Sequence, residues 1–246
     1  METLLFNILD SVDSTNNYAM ARVHEGLAIH GQAWFAHFQE KGKGQRGKSW
    51  LSAPGENLIL TVTARPPAVF EISRFHFHAL VSLCVLNFLK EECSVAFRVK
   101  WPNDIYYGDR KAGGILIENT LQGSEWKWSV IGFGINVNQA VFPGSVPNAV
   151  SLKQITGNNF DTVLLARKLH SHLLQSFSKV SASRFALNDL LENYNKELYR
   201  KEERVRFRSG SRVFEAIVKR VDEFGHLVVD NGIETTIAFG EVEWVN

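Results

Sequence analysis

The hydrophobic and polar positions change period several times along this chain, and each change predicts an element. Leu4 to Leu9 and Trp34 to Phe38 are apolar runs of strand length, and Asn57 to Ala64 is a third, rich in strand formers. Between the first two, the capping residues Asp13-Ser14-Thr15-Asn16 precede Tyr18, Ala19, Met20 and Val23, the pattern of a helix start. From Ile72 to Glu92 the residues Phe75, Ala79, Ser82, Val85, Leu86 and Leu89 recur at helical spacing, which predicts a long helix. Two strand-like runs then flank Trp101-Pro102. Gly108-Asp109-Arg110-Lys111 forms a tight turn, Ala112 to Glu118 returns as a strand, and Trp126 to Asn138 continues the strand region. Val141 to Val150 holds two prolines and reads as loop. Ser151 and Asp161 open two helical segments, the longer reaching about Ser178, and another helix spans Ser183 to Leu198. Beyond Arg204 the period shortens to two. Four short alternating runs, separated by Ser209-Gly210, Glu223-Phe224-Gly225 and Asn231-Gly232, predict a small antiparallel module like an SH3-type barrel. A sheet that small is marginal alone, so it is expected to dock on the rest of the chain. The expected class is α+β: a mixed β-sheet domain over residues 1–200 and a C-terminal β domain over 201–246.

One stretch concentrates the chemistry. Gln39 to Trp50 carries glycines at 42, 44 and 47 and cations at Lys41, Lys43, Arg46 and Lys48. Glycines let backbone approach a ligand closely, and N–H groups with Lys and Arg make a nest for phosphate or carboxylate. Gly42 to Ser49 fits the P-loop pattern, and Gly42, Gly44 and Gly47 fit the dinucleotide fingerprint. Both patterns require a helix after the glycines. This chain continues instead into Pro54-Gly55 and then a strand, so the helix N-terminus that would hold phosphates is missing and both readings fail.

A second cluster lies on the Trp-Pro hairpin, which brings Lys100, Asn103, Asp104 and Lys111 into one neighbourhood. Two cations, an amide and a carboxylate could serve a phosphate and a divalent metal, or could simply be a solvated hairpin. Glycines 132 and 134 interrupt a strand, as they do at a close backbone approach to a ligand or where a strand packs tightly under a helix. The pairs His76/His78 and His170/His172 fall on different faces of helices and predict no metal site.

Composition narrows the partners. With a net charge of +1 there is no global attraction to nucleic acid or membrane, so any anion site must be local. Only two cysteines are present, Cys84 and Cys93, with no C-x-x-C, which fits a reducing, cytoplasmic setting. Neither a signal peptide nor a membrane span is expected from the sequence.

Together these motifs resemble the biotin protein ligases. The stretches that carry the likeness are Asp13-Ser14-Thr15-Asn16, Gln39 to Trp50, Lys100-Trp101-Pro102-Asn103-Asp104, Arg110-Lys111-Ala112-Gly113-Gly114-Ile115-Leu116 and Gly132-Phe133-Gly134-Ile135-Asn136. The resemblance implies activation of biotin with ATP and Mg²⁺ to biotinyl-5′-AMP, then transfer to a lysine of a biotin carboxyl carrier protein or domain. It implies biotin contacts at Ser14, Thr15, Asn16, Gln39, Gly42, Lys111, Gly114, Gly132 and Gly134. Nucleotide contacts would fall at Lys43, Arg46, Trp50, Asn103, Lys111 and Asn136, and the metal at Asp104. Lys111 would be the main electrostatic catalyst, with Arg46 and Lys43 in a closing loop. The family's loop is usually richer in arginine; here Lys43 and Gln45 replace two of them. The Asp13 motif begins a dozen residues in, so no DNA-binding domain is expected ahead of it. Strand edges could pair in a homodimer, and nothing in the sequence selects that state. A lipoate ligase and a non-catalytic biotin sensor are the alternative readings.

Overall fold

The computed structural model describes residues 5–180 and 184–245. The described elements run β1 (Phe6–Val12), α1 (Thr15–His24), β2 (Ala33–Gln39), β3 (Asn57–Ala64), α2 (Arg74–Cys93), β4 (Arg98–Lys100), β5 (Asp104–Tyr107), β6 (Arg110–Gln122) and β7 (Glu125–Asn136). They continue with α3 (Leu152–Thr156), α4 (Thr162–Ser178), α5 (Arg184–Lys196), β8 (Arg204–Ser209), β9 (Arg212–Val221), β10 (Leu227–Asp230), β11 (Glu234–Ile237) and β12 (Glu243–Val245). Strands β1 to β7 form one sheet in the order β1-β2-β3-β7-β6-β5-β4, parallel at β1–β2 and antiparallel elsewhere. Strands β8 to β12 form a second, antiparallel sheet in the order β11-β10-β9-β8-β12.

Alternation along the central strands decides what each face of the first sheet does. Leu58, Leu60 and Val62 of β3 and Ile131, Phe133 and Ile135 of β7 face the main core, to which α2 and α4 contribute, α4 packing against β2 and β3 and α2 against β4 and β5. Burying each such side chain contributes about 1.5–3 kcal/mol. The intervening residues, Thr61 on β3 and Gly132 and Gly134 on β7, turn to the opposite face. There α1 packs across β2, β3 and β7, through Ala19 against Trp34 and Val130. One helix cannot cover seven strands, and the uncovered part of this face becomes the candidate site.

The C-terminal sheet is fastened to the first. Asn195 of α5 makes two hydrogen bonds to the backbone of Val221, Trp101 Nε1 donates to Gly225 O at 2.9 Å, and Phe207, Val218 and Leu227 join the same hydrophobic core.

The structure refines several boundaries. The expected strand from Leu4 and helix from Ser183 begin on residues outside those described; the described parts start at Phe6 and Arg184. The expected strand region Trp126 to Asn138 is a single strand, β7, that begins at Glu125 and ends at Asn136, short of Val137 and Asn138. Arg110 and Lys111, expected in a turn, already belong to β6. The C-terminal sheet has a fifth strand, β12, that the sequence pattern does not reveal, because three residues are too few to show a period. No helix among the described residues is long and apolar enough to cross a membrane.

Candidate active site

The open face of the first sheet carries a cavity of about 810 Å³, lined by Ser14 to Asn16, Gln39, the glycine stretch, the Trp-Pro hairpin, Lys111 and Asn136. A second cavity, about 1120 Å³, adjoins it across the glycine stretch and takes in Gly42 and Glu118. Lys111 and Arg46 line the same cavity, as the sequence expectation requires.

The polar end is built on the start of α1. Ser14 is the N-cap and accepts from the Asn17 N–H at 3.4 Å. The next two residues do more than cap. The Thr15 N–H donates to Gln39 Oε1 at 2.8 Å, and the Thr15 hydroxyl lies 3.0 Å from the same oxygen. Thr61 Oγ1 lies 2.8 Å from Thr15 Oγ1 and 2.7 Å from Asn16 Oδ1, while Asn16 Nδ2 donates to Glu118 Oε2 at 2.7 Å. Ser14, Thr15, Asn16 and Thr61 are all buried, so this chain of hydrogen bonds supplies the partners that buried polar groups need.

Beside it the glycine stretch folds into a compact loop. Gly44 N–H donates to Lys48 O at 2.6 Å and Trp50 N–H to Gly42 O at 2.8 Å, with a short 3₁₀ turn at Gln45–Gly47. No α-helix intervenes before β3, consistent with rejecting the two phosphate-loop patterns. Arg46 sits in the left-handed region at φ 55°, and its Nη1 donates to Gly240 O at 2.9 Å on the C-terminal sheet. The loop is thereby tied to a segment almost two hundred residues away.

The glycines of β7 are explained by protein side chains. A Cβ at Gly132 would collide with Asn16 Oδ1, and one at Gly134 would lie 2.5 Å from the Trp50 ring. Asn16 and Trp50 approach Gly132 and Gly134 closely, and both glycines also line the cavity. The Trp50 indole rests over Gly134 with its Nε1 buried and without a hydrogen-bond partner, and Lys111 Nζ stands 5.7 Å from its ring centre.

The hairpin holds the charges. Register shifts between Ile105 and Tyr106, so Asp104 pairs with Gly114 but Tyr106 pairs with Lys111. In a regular strand Lys111 and Gly114, three residues apart, would point to opposite faces; the bulge turns Lys111 onto the face of Gly114. Lys111 Nζ then reaches Asp104 Oδ1 at 2.7 Å, close over the backbone of Gly114, where a Cβ would lie 3.3 Å from Nζ and press on the pair. Lys100 lies nearby in a ring of aromatic groups, 4.6 Å from the centre of Tyr106, 5.5 Å from Tyr199 and 5.1 Å from Trp244 of β12. Burial pushes the Lys100 ammonium down to about 8, against the pull of Asp104 in the other direction.

Asn103 and Asn136 line the cavity but their amide nitrogens are already engaged. Asn103 Nδ2 donates to Ile115 O, and Asn136 Nδ2 bridges Lys111 O and Val150 O at 3.2 Å each. These bonds hold the hairpin and the segment at Val150, and both residues still line the cavity where the nucleotide contacts are expected.

The metal implied by the family resemblance can be tested against the donors present. Among the described residues no group of three or more His, Cys, Asp or Glu could hold an ion. Asp104 offers one carboxylate in the cavity. That set fits magnesium, which keeps water and substrate phosphates in its shell and takes only one or two protein carboxylates.

Three features of the site lie outside the sequence expectations. Thr61 carries a usable signal, being a polar residue inside an otherwise apolar strand. Glu118 and the aromatic ring around Lys100 have no local signal, because their partners are distant in the chain.

Comparison with known proteins agrees with this geometry. Residues 8–136 match the model of the Biotin/lipoate A/B protein ligase family. The bifunctional ligase/repressor BirA of Escherichia coli is 35% identical over 168 residues, which cover 66% of this chain and 50% of that protein, so the chain spans about half the length of that relative. A biotin–[acetyl-CoA-carboxylase] ligase of Mycobacterium tuberculosis is 28% identical over 236 residues, 94% of this chain and 85% of the relative. The biotin protein ligase of Aquifex aeolicus, solved with biotin and ATP, superposes with a TM-score of 0.81 at 26% identity, covering 98% of both chains. The matched domain and the fold lead to one assignment: this chain belongs to the Biotin/lipoate A/B protein ligase family.

Proposed function

We propose that the protein is an ATP-dependent biotin protein ligase. In the first step a biotin carboxylate oxygen attacks the α-phosphorus of ATP; the O–P bond forms, the bridge to the β-phosphate breaks, and pyrophosphate leaves. In the second, a lysine amine of a biotin carboxyl carrier domain attacks the acyl carbon of biotinyl-5′-AMP. The C–N bond forms, the acyl C–O bond breaks, AMP departs and the amine's proton is lost. In this reading residues 1–200 form the catalytic domain and 201–246 the C-terminal β domain.

The observation that carries this reading is the position of Lys111. Its ammonium enters a cavity that also holds the buried polar start of α1 and the cationic glycine loop. A carboxylate and a triphosphate repel one another, so fixed positive charge must lie where they meet. Ser14, Thr15, Asn16 and Gln39 supply a set of donors and acceptors for biotin's cyclic urea. Lys111 neutralises biotin's carboxylate and the α-phosphate together, Trp50 offers an aromatic face for adenine, and Arg46 and Lys43 keep the loop over the adenylate and away from water. When bound, magnesium would supply charge neutralisation on the phosphates, and Asp104 is the group to hold it. Bringing the reactants together in one cavity can remove several kcal/mol of barrier, up to roughly 7–11.

Calorimetric titration with biotin and with lipoate tests the substrate; binding of lipoate but not biotin overturns the choice. Incubation with ATP, Mg²⁺, labelled biotin and a carrier domain tests catalysis, since a sensor transfers no label.

A further inference from the structure

We infer that Glu118 is a positioning residue that fixes which way the Asn16 amide points into the cavity; the inference rests on the biotin-binding reading above. Asn16 is buried, and its amide lies between acceptor-only oxygens on one side and a hydroxyl on the other. Asn16 Nδ2 is 2.7 Å from Glu118 Oε2 and 3.4 Å from Leu116 O, while Asn16 Oδ1 is 2.7 Å from Thr61 Oγ1. A carboxylate and a carbonyl only accept hydrogen bonds, so both require the nitrogen of the amide to face them. Thr61 could serve either end of an amide, because a hydroxyl both donates and accepts. Glu118, charged and at the shorter distance, is therefore the dominant of the two groups that choose the orientation.

The choice propagates. With Asn16 Oδ1 toward Thr61, the single hydroxyl proton of Thr61 goes to Asn16, so Thr61 cannot also donate to Thr15, and the one hydroxyl proton of Thr15 is left for either Thr61 Oγ1 or Gln39 Oε1. Reversing the amide would set its NH₂ against the Thr61 hydroxyl and change the donors presented at Thr15 and Gln39. It would also change the group that fills the space above Gly132, which Asn16 Oδ1 occupies so closely that no Cβ fits there. A ligand with a fixed pattern of N–H and C=O groups, such as a cyclic urea, reads that order.

Glu118 reaches this position because it follows Gly114 and Leu116 on the same face of β6. Its other oxygen lies 3.9 Å from Lys43 Nζ, so the same carboxylate faces the glycine loop.

The test is calorimetric titration of biotin, without ATP, into the parent protein and the variants E118Q, N16A and E118Q/N16A. The E118Q side chain keeps the size of the glutamate but can donate as well as accept, so only the longer contact to Leu116 O still favours the orientation. We expect E118Q to weaken biotin binding by roughly tenfold, the scale of one hydrogen bond to a charged group. In the N16A background the same change is expected to cost less than about twofold, because Glu118 acts through Asn16. A purely structural role for Glu118 would give the same penalty in both backgrounds, and that result overturns the inference, as does E118Q binding within twofold of the parent. If the parent itself binds no biotin, the functional reading fails rather than this one. Should E118Q lose its cooperative unfolding transition, E118D carries the test, with an expected loss of about threefold; parental affinity there overturns the inference.

Discussion

Lys111 reaches Asp104 across the β5–β6 bulge, with Nζ and Oδ1 2.7 Å apart over the backbone of Gly114. Both side chains are about one-third exposed, so the pair contributes little to stability, at most about 1 kcal/mol. In the proposed function its use is catalytic: a lysine held in place by a carboxylate can exchange that partner for the anions of a substrate. Lys111→Ala is therefore expected to lower pyrophosphate release by about 10²–10³-fold, the usual cost of removing one preorganised electrostatic group. The unfolding midpoint should remain near that of the parent. Unchanged pyrophosphate release in a folded variant would remove Lys111 from its proposed role.

The glycine loop is fastened to the C-terminal sheet by Arg46 Nη1 and Gly240 O at 2.9 Å. Arg46→Ala should loosen the loop and release biotinyl-5′-AMP about three- to tenfold faster, while cleavage by protease within residues 41–49 increases. Stopped-flow dissociation and limited proteolysis check the two effects. Equal dissociation rates for parent and variant would show that the tie does not retain the adenylate.

Trp50 has its ring where a Cβ at Gly134 would stand, 2.5 Å from the nearest ring atom. The contact is with a rigid indole, so Gly134→Ala must displace it. A loss of about 1–3 kcal/mol in urea unfolding is expected from overpacking. If Trp50 serves adenine, the KM for ATP should rise as well, with the biotin affinity changed less. Steady-state kinetics at varied ATP separates these outcomes.

Lys100 gives a pH prediction. Burial lowers its ammonium to about 8 in the folded protein, below the ordinary lysine value of 10.5. Between these values the unfolded chain binds the proton and the folded chain does not, so this group makes stability rise as pH increases from about 8 to 10.5. Cys84 and Tyr106 act oppositely: burial raises both, so the unfolded chain loses those protons first and stability falls with rising pH. The Lys100 contribution is isolated by difference. Parent minus Lys100→Met, measured by urea unfolding from about pH 7 to 10, should become more favourable to the parent above about pH 8. A flat difference would contradict the assignment.

Much of the architecture is legible from local pattern. The long helix α2 is expected at Ile72 to Glu92 and is found at Arg74–Cys93, because twenty residues of helical period leave little room for another reading. Asp161 and Ser151 cap helices as their types suggest, each accepting a hydrogen bond from the backbone of the first turn. The short strand β12 is not legible, and it matters, because Trp244 from that strand covers Lys100.

The sequence by itself determined most of the elements, the short β12 excepted, together with the rejection of a phosphate loop and the set of chemical groups that the five motifs carry, since periodicity, capping and turn chemistry act within a few residues. The tertiary structure decided which of those groups meet. A one-residue shift of register at the β5–β6 bulge turns Lys111 toward Asp104, and β7 fills the space above its glycines with Asn16 and Trp50. The final turn of the glycine loop is held by a carbonyl at Gly240. Side-chain direction in a strand reverses with each residue, and contacts between distant segments depend on packing, so neither could be read from spacing along the chain.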